Sequence, residues 1–294
     1  MVIVAPPAPV PGPRFALGKV LKVGTRSGVH RSRLDVIAVV LLGVVTILAL
    51  IGPLLSQYPP NVPAGVPLSP PFHGGFILGT DEVGRDILSR ILVGLRASWI
   101  ATIGIVFTIG LIGTVLGTIA GLKGGIIDSI LMRVTDFFLA LPSVVVAIVI
   151  VAAIGGSLLH AAMALVIVSW PYYARIVRAE VRGVAARPHV EAARLSGISR
   201  WRLAGRHVLP GVFPIVIVNM SMDLGGMTIA IALLSFLGLG TPLPAPELGS
   251  MVANGLSYLL SYWWVPIMPA LAVFFIAVVA NFAGDGIRDW VGER

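Results

Sequence analysis

The 294-residue chain contains no cysteine. Disulfides, thiolate metal sites and cysteine nucleophiles are therefore excluded, while the compartment stays open. Charge is scarce too: Asp, Glu, Lys and Arg make up 12% of the residues against 57% hydrophobic ones, and the mean hydropathy is +0.97. So few charges cannot cover a soluble surface, and most of the chain is expected in lipid. Motifs for hydrolytic chemistry are missing as well. There is no G-x-x-x-x-G-K-S/T phosphate loop, since Gly18-Lys19 is followed by Val20, and there is no H-E-x-x-H zinc pair or G-x-S-x-G elbow. The five histidines are scattered at His30, His73, His160, His189 and His207. Ser157 and His160 stand three apart but lack an orienting carboxylate, so no catalytic residue, bound metal or bound cofactor is expected on this chain.

What is present is a series of long uncharged runs. A span needs roughly 20 apolar residues to cross about 30 Å of hydrocarbon. Six candidates meet or approach that length: 36–55, 98–122, the interval between Asp136 and His160, a segment from Ala161 past Pro171 into "YYARIVRAE", 210–238 and 264–284. The expected fold class is an all-α integral membrane protein of six transmembrane helices. Of the 21 lysines and arginines, 18 fall in the arm, loops and tail on one side, against Arg85, Arg90 and Arg96 on the other. The excess of positive charge places both termini in the cytoplasm. The net charge of +8 is thus spread along one membrane face, and a nucleic-acid partner has nothing left to explain. The expected division is a basic, proline-rich cytoplasmic arm (1–33), a first span (34–56), an extracytoplasmic loop (57–97), a core (98–290) containing a cytoplasmic loop at 183–210, and a tail (291–294). The opening "MVIVAPPAPVPGPRF" offers no signal-peptide core.

The second span carries Gly113, Gly117 and Gly121 at intervals of four, a flat face that lets another helix approach closely. The cytoplasmic loop reads "RGVAARPHVEAARLSGISRWRLAGRHVLPG". Pro188 suits a first helical turn, Gly197 a left-handed stop, and Ser199 a cap for a second helix that Pro210 ends before the fifth span. Ala192 and Ala193 form a shallow face that a protein cleft could admit, ringed by Arg194, Arg200, Arg202 and Arg206. A solvated basic loop would explain the arginines but not the alanines or the turn.

"EAA", three residues, Gly197 and "HVLP" together resemble the EAA loop of ABC importer membrane subunits. "LGTDEVGRDILSRILVGLRAS", "LSFLGLGTPLPAPELGSM" and "FAGDGIRDW" resemble, in the same order, the C-type permease subunits of dipeptide, oligopeptide and nickel importers. The resemblance implies a type I importer fold. It also implies pairing with a homologous B-type permease, one or two cytoplasmic ATPase subunits that bind ATP and magnesium, and a substrate-binding protein, all at a prokaryotic plasma membrane. By the motif's positions, Glu191, Ala192, Ala193 and Gly197, with Arg194 and Arg200, would contact the ATPase. Peptides are the implied solute, with nickel chelate, glutathione and heme as alternatives.

An ion-coupled secondary transporter is the rival class, and its mark is intramembrane charge. Asp223 is such a charge, about 20 Å along a helix from Pro210. With Asn219 and Met222 it is a candidate for the translocation path; the alternative is a structural aspartate partnered by Asn219. The family pattern places a carboxylate just before "LSFLGLG", where this chain has Ile231. A second i, i+4 pair, Asn281 and Asp285, reads as a structural contact near the cytoplasmic end. On the outer side, Asp81, Glu82, Arg85, Asp86, Arg90 and Arg96 are expected on an amphipathic interfacial helix. By resemblance, Asp81 and Arg85 there, with Pro244 and Glu247 of "GTPLPAPELGS", would meet the binding protein or the paired permease.

Overall fold

Ten helices account for nearly all ordered secondary structure in the computed structural model, which describes residues 33–292. They are α1 (Arg33–Leu55), α2 (Ile87–Lys123), α3 (Gly125–Leu139), α4 (Ser143–Ile154), α5 (Leu158–Ala185), α6 (Pro188–Leu195), α7 (Arg200–Leu203), α8 (Leu209–Leu234), α9 (Leu248–Gly255) and α10 (Trp264–Gly292). No strand occurs among the described residues, only the isolated bridges His73–Phe76 and Thr80–Asp86. The arm before residue 33 and the last two residues of the tail lie outside them.

Among the described residues, four helices are long and apolar enough to cross a membrane: Asp35–Leu55, Ile87–Lys123, Trp201–Leu239 and Trp264–Val291. A fifth is obtained if α3 and α4, bent by 86°, count as one broken span. The uncharged interval after Asp136, expected to hold one span, is therefore interrupted. Pro142 stands just before α4 with φ −64° and ψ 107°, outside the helical region, so the chain turns there. The apolar first half of α5 gives way to Arg175, Arg178, Glu180 and Arg182. Those charges anchor α3: Asp128 accepts from Arg182 at 2.5 Å and also pairs with Arg178, and Asp136 pairs with Arg175.

The second span starts earlier than expected. The charged residues 81–86 form a turn rather than an interfacial helix, with Gly84 at φ +89° and the Gly84 amide donating to the Asp81 carbonyl at 3.0 Å. The Asp86 carboxylate then caps α2 by accepting from the Ser89 amide at 2.9 Å. From there α2 runs unbroken for 37 residues. Its glycines meet α5, as the flat face implied: a Cβ on Gly117 would stand 2.6 Å from the Ala174 carbonyl oxygen and one on Gly121 2.6 Å from Val181. The close approach requires those side chains to be absent. Ile105 and Ile109 of α2, Ala147 and Val151 of α4, Ala164 and Leu165 of α5 and Ile231 and Leu234 of α8 fill the resulting core.

Pro210 does not stop the helix before the fifth span. Ala204–Val208 form a π turn, in which the Leu209 amide bonds back to the Ala204 carbonyl, and Pro210 enters in the first turn of α8. The wider turn relieves the ladder where proline lacks a donor. The result is one rod that starts at Trp201 and runs until Gly238 turns out of the helix at φ +81°.

Candidate functional site: the knob between α5 and α8

Two residues, Ala186 and Arg187, separate α5 from α6, and a tight turn at 196–199 separates α6 from α7. Pro188 opens α6 as its pre-set φ favours, and Gly197 at φ +80° makes the turn that an L side chain resists. Ser199 contributes its carbonyl, which accepts from the Leu203 amide at 2.9 Å. The pair of short helices forms a knob.

Its underside is apolar and fully packed. Val190, Leu203 and Val208 join Val177, Val181 and Val184 of α5 and Val212 and Val216 of α8 in one cluster, with Ala193 at its edge. The knob therefore cannot tilt without moving both long helices. Its upper side is open: Glu191, Ala192, Arg194 and Gly197 are exposed, and a Cβ on Gly197 would meet nothing within 4 Å. Arg200 is the first residue of α7. Sequence reasoning missed two neighbours there. Leu195 is 83% exposed and Trp201 80% exposed, an apolar pair flanking the turn. The available signal was an aromatic and an aliphatic residue placed where the loop offers no second face to cover them.

Asp223 is half-buried on α8, and its partner is not Asn219. The Tyr173 hydroxyl of α5 donates to the carboxylate at 2.7 Å, while Asn219 donates to the Ile215 carbonyl of its own helix at 2.7 Å. Met222 is 37% exposed beside it. Asn281 packs on Gly225 of α8, and Asp285 faces Arg288 at 3.7 Å, so those two side chains serve separate contacts. Ser157 and His160 form a helix start: the Ser157 hydroxyl oxygen accepts from the His160 amide at 3.0 Å.

Three residues expected on the outer contact surface are buried. Glu247 has no exposed area; its carboxylate accepts from the Gly249 and Ser250 amides at 3.1 and 2.9 Å, capping α9, and from the Ser98 hydroxyl of α2 at 3.1 Å. Asp81 and Arg85 pair with each other at 2.6 Å at 5% and 6% exposure, Arg85 also reaching Glu82 at 2.9 Å. Mutual neutralisation is what permits burial of both. Pro244 alone of the four is exposed. The organising residue, again missed, is Arg90. Only 2% exposed, it donates to the carbonyls of Pro60 at 2.7 Å and Pro244 at 3.3 Å and lies 3.5 Å from Asp81.

An all-helical bundle with at least four apolar spans among its described residues defines a multi-pass membrane protein. Comparison with known proteins agrees. Residues 113–294 match the binding-protein-dependent transport system inner membrane component family, and the chain belongs to that family. It is 40% identical over 264 residues to the probable D,D-dipeptide transport system permease protein of Escherichia coli (strain K12), covering 90% of this chain and 88% of that one. The dipeptide transport system permease protein of Haemophilus influenzae is 33% identical over 265 residues, covering 88% and 90% respectively. The glutathione transport system permease protein of Pectobacterium atrosepticum is 41% identical over 212 residues, covering 72% and 70%. Among solved structures, a chain of the inward-facing MetNI methionine ABC transporter superposes with TM-score 0.53 and 18% identity over 69% of this chain and 96% of its own, a likeness of fold. The protein is a multi-pass permease subunit of an ABC importer.

Proposed function

We propose that this chain forms half of the translocation path of an ATP-driven peptide importer in the cytoplasmic membrane of a prokaryote, paired with a homologous permease. Its six spans are α1, α2, the broken α3–α4, α5, the rod containing α8, and α10, with both termini cytoplasmic. The reading rests first on the knob. Its buried underside ties α5 to α8, and its open side offers Ala192, Leu195 and Trp201 within a basic rim. Seated in a cleft of one of one or two ATPase subunits, where ATP and magnesium bind, it turns with that subunit and carries α5 and α8 between inward-facing and outward-facing arrangements. Asp223, with Met222 and Asn219 on its helix, borders the path and offers a carboxylate to the cationic end of a peptide. The outer loops braced by Arg90, Asp81, Arg85 and Glu247 present Pro244 to a substrate-binding protein.

Support for peptides comes from relatives whose names specify dipeptides; the glutathione relative keeps that tripeptide in the test panel. The deciding experiment reconstitutes both permeases, ATPase and binding protein in liposomes and measures ATP-dependent uptake of dipeptides, oligopeptides, glutathione, nickel chelate and heme. Peptide uptake that requires ATP is expected. Uptake by this chain alone under a proton gradient would overturn the reading in favour of a secondary transporter.

A further inference from the structure

A trough of about 980 Å³ opens between α2 and α5 beside the end of α1, on the part of the bundle remote from the knob. It is lined by the small residues Ala97, Ala101 and Gly104 of α2 and Ala162 of α5, together with Ile100 and Ile167. The depression exists because these residues are small: a Cβ on Gly104 would meet nothing within 4 Å. A single charged side chain lines it. Arg96 is exposed and makes no ion pair or hydrogen bond with any described residue.

The position of that cation is informative. Arg96 ends the charged part of α2, and no further charge follows until Lys123, so it stands where hydrocarbon meets water. The trough continues from Arg96 to Thr108, about 18 Å of helix at 1.5 Å per residue, whereas half of a roughly 30 Å hydrocarbon layer is about 15 Å. A second spanning helix would need a groove through the full layer. This one covers a single leaflet, apolar along its length and cationic at its interfacial end, which is the shape and polarity of one lipid chain below its headgroup.

We propose that the trough binds a phospholipid, one acyl chain lying on Ala97, Ala101 and Gly104 and the phosphate held by Arg96. Guanidinium suits the task because its fork matches two phosphate oxygens and it sheds water more readily than an ammonium. The site requires only that α2 and α5 stand in a bilayer, so its failure would leave the importer reading untouched.

The test uses the assembled importer complex in nanodiscs with trace amounts of two photoactivatable probes carrying a diazirine in the same acyl chain, phosphatidylglycerol and diacylglycerol. Labelled peptides are mapped by mass spectrometry. Expected is labelling concentrated at 93–108 and 158–167, several-fold stronger for the phosphate-bearing probe. Arg96→Ala brings the two probes to parity and Arg96→Lys keeps part of the preference. Gly104→Leu, whose side chain enters open space, abolishes labelling by both while the complex assembles normally. Labelling spread evenly over the exposed faces of α1 and α10, or a phosphate preference that survives Arg96→Ala, overturns the proposal. So does efficient oxidant-driven disulfide cross-linking between a cysteine at Gly104 and one introduced in the paired permease, which would assign the trough to a protein.

Discussion

Tyr173 and Asp223, 50 residues apart in sequence, share a hydrogen bond of 2.7 Å that joins α5 to α8, the same two helices that carry the knob. Any rotation of one helix against the other must stretch this bond. Tyr173→Phe removes a hydroxyl donor to a half-buried carboxylate, at a cost of about 1–3 kcal/mol. A lower melting midpoint of the purified complex is expected. Asp223→Asn keeps an acceptor for Tyr173 and so spares stability. If the carboxylate meets the amino end of a peptide, this variant raises KM for free peptides but not for N-acetylated ones.

Gly197 gives a prediction that separates backbone strain from crowding. Nothing stands near its missing Cβ, so any effect of substitution comes from φ +80°, worth about 1–2 kcal/mol for an ordinary residue. Gly197→Asn should retain most ATP-dependent uptake, and Gly197→Val should lose it together with ATPase co-purification. Equal loss in both would mean that the turn's shape is not what matters.

Leu195 and Trp201 contribute nothing to the fold of the isolated chain, being 83% and 80% exposed. Leu195→Ala and Trp201→Ala should therefore leave membrane abundance unchanged while weakening retention of the ATPase on an affinity column. Retention at the level of the unaltered chain would remove the knob's open face from the docking surface.

Two glycines of α2 should respond in opposite directions. Gly117→Val places its Cβ about 2.6 Å from the Ala174 carbonyl and should prevent α2 and α5 from closing, seen as loss of folded protein from the membrane. Gly104→Ala enters open space and gains up to about 1 kcal/mol of helix propensity. Thermal unfolding of the two variants reads both signs.

Arg90→Met should leave the Pro60 and Pro244 carbonyls without their donor, costing about 1–3 kcal/mol. Protease sensitivity confined to 56–86 and 240–247 is expected, with Arg90→Lys intermediate because a single ammonium cannot replace the guanidinium fork.

The uncharged runs foretold α1, the body of α2, α8 and α10, because exclusion of charge is the dominant constraint that lipid imposes. Pro188 and Gly197 foretold the knob's turns for the same kind of reason: each has one strong backbone preference. Where the reading failed, the cause was a long-range partner. Glu247 looked exposed because an unpaired carboxylate is costly to bury, yet Ser98 and the first amides of α9 satisfy it. Arg90 looked like one charge on an interfacial stripe, and its role depends on a carbonyl 154 residues away. The bend between α3 and α4 was masked because residues 137–139 at the end of α3 and all of α4 are uncharged, although Pro142 marked it.

The π turn at Ala204–Val208 sets a phase. On an α-helical cylinder each residue advances the chain by about 100°, so one surplus residue decides which way everything upstream of it faces around the α8 axis. Deleting Gly205 would restore an ordinary ladder, yet it would swing Trp201 and the buried Leu203 through more than a quarter of a circle. The knob would lose its seat on α5 and α8, and any motor docked on it would be aimed past its target.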